Sequence, residues 1–184
     1  ARLAPLAYQA FDWNHGVFIG ASMASERTAA QFGKLGEVRR DPMAMLPFCG
    51  YNMADYWAHW LRMGSLMKNP PKIFNVNWFR LDDNGKFIWP GFGENLRVLD
   101  WVLKRCDGAI DALETPIGWL PRAGDIDAEG LNLPAGDMEK LLEVPKADWH
   151  GEAEAVGKYF EQFGDRTPKA LYDQLDALKS RLGK

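Results

Sequence analysis

Aromatic residues crowd one stretch of this sequence: Trp78, Phe79, Phe87, Trp89 and Phe92, followed at once by Gly93, Glu94 and Asn95. Such side chains could stack a planar ring system, each good base contact contributing about 1 to 3 kcal/mol. Phe79 and Phe87 flank a turn, and Phe92 returns toward them after the Pro90-Gly91 bend. Stacking alone does not tell one purine from another. The carboxamide of Asn95 carries an acceptor and two donors, which suits the O6 acceptor and the N1 and N2 donors of guanine. Unpaired amides at a helix start add further donors, and glycines at 91 and 93 leave room for close backbone approach. The same residues have a plainer use, since aromatics beside a hairpin fill cores and Asn caps helices. From the residues alone both uses stay open.

Other chemistries find less support. There is no GxxxxGK[ST] loop for a triphosphate and magnesium. Gly91 and Gly93 give only GxG, with Leu96 where a dinucleotide fingerprint needs its third glycine. A calcium loop with Gly85 at its sixth position would start on Arg80, a cation where a carboxylate is required. His15, His59 and His150 are scattered without HExxH or HxxxH spacing. No GxSxG elbow occurs, and Cys49 and Cys106 neither form a CxxC pair nor stand beside a histidine.

The 184 residues, 47% apolar and 12% aromatic, are enough for one sizeable core, so a single compact domain is expected. A net charge of −3 from 22 basic and 25 acidic residues gives no field that would steer nucleic acid. No run approaches the roughly 18 to 20 apolar residues of a membrane span, and two distant cysteines give no disulfide framework. A soluble, reducing, cytoplasmic setting is expected. The chain starts at Ala1 and enters an apolar stretch directly, as though cut from something longer.

The pattern predicts a strand over 4–11, a buried helix over 15–28, and a polar, glycine-containing loop over 29–41. Met53, Trp57, Trp60, Leu61 and Gly64 recur at helical spacing between Tyr51 and Met67 until Asn69, Pro70 and Pro71 stop it. Phe74, Val76 and Trp78 alternate with Asn75 and Asn77 as in a strand over 72–79. Asn84-Gly85 predicts a type I′ turn that returns residues 86–89 as the second strand of a hairpin. A helix over 95–106 should bury Leu96, Leu99, Val102, Leu103 and Cys106, with Gly108 ending it. Three helices follow, over 137–142, 151–163 and 168–182. Thr167 is the expected cap of the last, whose Leu171, Leu175, Leu178 and Leu182 face the core.

Asn77-Trp78-Phe79-Arg80 and Phe87-Ile88-Trp89-Pro90-Gly91-Phe92-Gly93-Glu94-Asn95 closely resemble the guanine-binding region of GTP-dependent phosphoenolpyruvate carboxykinases. The resemblance extends upstream through Trp13-Asn14-His15-Gly16-Val17-Phe18-Ile19-Gly20, Met23-Ala24-Ser25-Glu26, Asp41-Pro42-Met43-Ala44-Met45 and Pro47-Phe48-Cys49-Gly50-Tyr51-Asn52. It is strong over 5–121 and weaker beyond. It implies a mixed α/β fold, the carboxy-terminal nucleotide-binding portion of that enzyme across 1–184, with a helical final third over 135–184.

The resemblance implies an enzyme of gluconeogenesis that converts oxaloacetate and GTP to phosphoenolpyruvate, GDP and CO2, with Mn2+ or Mg2+. Phe79, Phe87 and Phe92 would hold guanine and Asn95 would read it. Trp78, Gly93 and Glu94 would complete the pocket, within a guanine-binding hairpin and helix over 72–106. Residues 29–40 would be the lid, with Arg39 and Arg40 at its edge neutralising anionic charge or simply solvated. The family's phosphate loop, metal ligands and substrate arginines would lie on a missing amino-terminal part, so the chain alone would be an inactive, monomeric fragment. A free-standing guanine-nucleotide module without catalysis, or a structural domain with an aromatic interface, are the alternatives.

Overall fold

The computed structural model describes residues 3–26 and 38–183. Instead of the single domain expected from length, these residues form two compact units, one of 12–26, 38–71 and 146–183, the other of 3–11 and 72–145. Pro71 and Pro145 stand at two of the crossings, where a residue without an N–H breaks regular structure. In chain order the elements are β1 (Ala7–Gln9), α1 (Trp13–Ala21), β2 (Ala24–Glu26), β3 (Val38–Arg40), α2 (Met53–Leu66), β4 (Phe74–Val76), α3 (Asn95–Asp107), β5 (Leu113–Thr115), β6 (Gly118–Leu120), α4 (Asp137–Leu142), α5 (Lys146–Glu161) and α6 (Lys169–Leu182). The fold is mixed α/β, with antiparallel sheets. Among the described residues no helix is long and apolar enough to cross a membrane.

The first unit is helical. Asp12 caps α1 by accepting from the His15 amide at 2.8 Å, and Asn52 caps α2 through the Ala54 amide at 2.9 Å, each satisfying an end N–H. α1 stops at Ala21, short of the expected helix to 28: the Ser22 hydroxyl bonds back to Phe18 O and the chain leaves as β2, which pairs with β3. Residues 27 and 28 lie outside the described residues. α6 packs on α5 and α1 with Leu171, Leu175, Leu178 and Leu182 buried, as the leucine spacing predicts. Its expected cap fails, because the Thr167 hydroxyl donates instead to Phe160 O at 3.0 Å. α5 begins at Lys146, ahead of the expected Gly151, since Trp149 already belongs to its buried face. Gly64 of α2 is a contact glycine: an added Cβ would stand 2.1 Å from Trp13 Cδ1, and the Trp13 indole donates to Trp60 O at 2.8 Å.

The second unit is a four-stranded sheet, β4-β1-β6-β5, with a core of Leu6, Ala7, Ile88, Trp89, Val98, Trp101, Ile126 and Leu141. β4 pairs with β1, Phe74 opposite Gln9 and Val76 opposite Ala7, and not with residues 86–89 as expected. Asn77 is the cause. Buried, it donates its amide to Leu6 O and its Nδ2 to Ala4 O, while its Oδ1 accepts from the Phe79 N–H, so the strand ends at Val76 and turns. What remains of the expected hairpin is one bridge, Leu81 to Phe87.

Its turn is also not type I′. Gly85 has φ 76° but Asn84 is not among the residues with positive φ; the Gly85 N–H bonds to Asp82 O and the Asp82 N–H to Lys86 O, a type I turn followed by a left-handed glycine. The Asp82 carboxylate accepts from the Asn84 and Lys86 amides. The Lys86 amide bond is the chief reason its carboxyl is held below the usual range.

Candidate functional site

The candidate site is the bend from Trp78 to the start of α3. Gly91, at φ 111° and ψ −153°, occupies backbone space closed to L side chains. That turn sends residues 92–94 into a short 3-10 helix that runs directly into α3. Inside the bend Trp89 is fully buried, with Trp78 tilted against it at 6.3 Å and packed on the same core. Outside it three phenyl rings stand in water: Phe79 is 57% exposed, Phe87 62% and Phe92 95%. Burial of large apolar side chains is the rule in cores, so these three rings do not follow the core-filling reading that the tryptophans do.

Phe79 and Phe87 are neighbours across the turn, as their spacing predicts, with centroids 5.8 Å apart and planes at 65°. This edge-to-face arrangement is one of the favoured aromatic geometries, and it leaves no base-thick gap between the two, which would need about 7 Å for two stacking contacts. The space between these two rings is therefore closed to a planar base. A Cβ at Gly93 would meet no atom within 4 Å.

Asn95 is half-buried at the first turn of α3 and its Oδ1 accepts a hydrogen bond from Trp89 Nε1 at 2.9 Å. With the oxygen engaged inward, the amide presents its Nδ2 donors outward. Glu94 is held by Arg97 at 2.6 Å, and Arg97 in turn reaches Asp127 O at 3.0 Å. Trp89 is the residue whose role the sequence leaves unstated. Its indole fixes Asn95 only because the Gly91 bend brings positions 89 and 95 together, and no spacing rule in the sequence signals that.

Of the expected lid, residues 29–37 lie outside the described residues, and 38–40 form β3. Arg40 is engaged: Nη1 donates to Ser22 O at 2.8 Å and to Glu152 Oε1 at 2.6 Å, Nη2 donates to Glu152 Oε2 at 3.1 Å, and the guanidinium lies 6.0 Å over the Tyr159 ring. Burial pushes the Tyr159 hydroxyl up to about 12, Arg40 opposing. Arg39 stands 3.7 Å from Asp41. Among the described residues no three His, Cys, Asp or Glu side chains gather in one place.

Comparison with known proteins identifies the family. The family described as phosphoenolpyruvate carboxykinase C-terminal P-loop domain matches residues 1–181. Proteins named phosphoenolpyruvate carboxykinase [GTP] are similar throughout: that of Treponema pallidum is 50% identical over 97% of this chain, that of Thermoplasma volcanium 49% over 100%, and that of Neocallimastix frontalis 51% over 97%. The chain belongs to the GTP-dependent phosphoenolpyruvate carboxykinase family, as a carboxy-terminal part. It spans 29%, 31% and 30% of the length of those relatives.

Proposed function

We propose that this chain is the guanine-recognising and lid part of an enzyme that converts oxaloacetate and GTP to phosphoenolpyruvate, GDP and CO2. The observation that carries the reading is Asn95 locked by Trp89 beside three exposed phenyl rings. Guanine presents an oxygen acceptor at position 6 where adenine presents an amino donor. An outward Nδ2 pairs with the first and meets the second donor to donor. Phe79 and Phe87 supply the stacking surface, and Phe92, almost wholly exposed, adds a third aromatic face. Trp78 supports the site from within the core, and Glu94, through Arg97, steadies the start of α3.

On this reading residues 29–40 cover the active site, and Arg40, tied to Glu152, anchors the end of that segment instead of touching phosphate. The phosphate loop, the Mn2+ or Mg2+ ligands and the groups that bind oxaloacetate and phosphoenolpyruvate lie outside these residues. Phosphoryl transfer depends on metal and cations placed around the transferring group, so the chain by itself has no turnover.

Titration with GTP, GDP and ATP, followed by tryptophan fluorescence, tests the site. Guanine nucleotides should quench at concentrations roughly tenfold or more below ATP, the size expected of one discriminating contact, and Asn95→Ala should abolish the difference. Equal responses to ATP and GTP would contradict it. A carboxykinase-length polypeptide carrying these residues should form phosphoenolpyruvate from oxaloacetate only with GTP, and the 184-residue chain should form none.

A further inference from the structure

α3 is apolar around more of its circumference than the core of its unit covers. Val98 and Trp101 are fully buried and Val102 packs on the same cluster. The expected core face, Leu96, Leu99, Leu103 and Cys106, lies beside them and stands in solvent: Leu96 is 74% exposed, Leu99 43%, Leu103 63%, and Cys106 is exposed. On the remaining side Lys104 pairs with Asp100 at 2.6 Å and Arg97 with Glu94 at 2.6 Å; Arg105 is the one charge inside the apolar arc, on its covered side, where it donates to Gln9 Oε1 at 2.9 Å and Ile110 O at 2.6 Å. At 3.6 residues per turn the apolar arc covers roughly 220°, about twice the ~100° stripe of a helix that packs on one side. A helix patterned this way is built to pack on two.

We infer that the Leu96–Leu99–Leu103–Cys106 stripe is the surface on which the rest of a carboxykinase-length polypeptide packs. The inference rests on family membership and not on the guanine reading. Relatives to which this chain corresponds over 29% to 31% of their length carry more than twice as much polypeptide again, and that polypeptide is the occupant. A second copy of this chain fits less well. Leu96 to Cys106 spans about 15 Å of a helix about 10 Å wide, an area on the order of 150 Å² and far short of the roughly 800 Å² per partner of a stable association. Segments of one polypeptide need no such area, because their packing carries no bimolecular association cost.

Cys106 is a native reporter on the stripe. Its alkylation rate, read by mass spectrometry of the peptide that contains it, should be compared in this chain and in a chimera. In the chimera this sequence replaces the matching region of the Treponema pallidum carboxykinase. Cys106 should react freely in the chain and slow by roughly tenfold or more in the chimera, as for a group reached only through local opening. Leu99→Asp with Leu103→Asp should restore its reactivity there. Equal rates in a folded chimera would overturn the inference, as would protection that rises with concentration in the chain alone, which would mark a second copy as the occupant. Thermal unfolding of the chain carrying both substitutions asks the question without the chimera. A near-unchanged Tm is expected, and a fall beyond about 5 °C, the scale of 1 kcal/mol or more, would show the leucines already covered within this chain.

Discussion

The indole Nε1 of Trp89 donates to Asn95 Oδ1 at 2.9 Å, and this one bond decides which half of the Asn95 amide faces outward. A flipped amide would set its Nδ2 donors against the Trp89 N–H, donor to donor, so the bond favours the orientation with Oδ1 inward. Asn95→Asp keeps that acceptor and removes the outward donor. The variant should fold normally and lose about 1 to 3 kcal/mol of guanine preference, the scale of one base-reading contact. The ratio of GDP to ADP dissociation constants is the quantity to follow.

Gly93 and Gly118 should respond oppositely to alanine. A Cβ at Gly93 meets nothing within 4 Å, whereas at Gly118, φ 142°, it would lie 2.5 Å from Gln9 O in the neighbouring strand. Gly118→Ala should cost about 1 to 3 kcal/mol through overpacking and backbone strain, seen as a lower urea midpoint. Gly93→Ala should leave that midpoint in place and weaken guanine nucleotide binding.

Arg40 and Glu152 form a two-pronged ion pair, partly shielded from solvent. Removing either partner should cost about 1 to 3 kcal/mol, as for hydrogen bonds to charged groups. A double-mutant cycle with Arg40→Ala and Glu152→Ala should show positive coupling. If the single effects merely add, the pair does not anchor β3.

His15 is buried, and its pKa is lowered to about 4, chiefly by burial and secondarily by the Arg181 charge, with Asp12 opposing. The folded state holds the ring neutral, while the unfolded chain protonates it near 6.5. The neutral ring's contribution is complete above pH 6.5 and is lost as pH falls toward 4, an effect of about 3 kcal/mol. Urea melts across that window should show stability falling with pH, and His15→Gln should flatten the slope.

These tests bear on features of unequal visibility in the sequence. α2 and the leucines of α6 were legible because one repeating pattern sets both helix and buried face. β2 was not: Ala24 and Ser25 suit a helix locally, and only pairing with Arg40 and Arg39 makes them a strand. The hairpin expected from strands over 72–79 and 86–89 was misread because Asn77 is the buried hub that ends β4. On α3 the stripe of Leu96, Leu99 and Leu103 was found, but periodicity cannot tell which of two apolar faces the unit covers. The site residues carried their chemistry in their types, whereas the Trp89 lock depends on the Gly91 bend.

The side-chain amide resonance of Asn95, followed in 15N-labelled protein, tests guanine reading most directly. On adding GDP its Nδ2 protons should shift downfield as they meet the base oxygen, with no comparable change for ADP. An Asn95 amide unmoved by saturating GDP, or moved equally by ADP, would contradict the account.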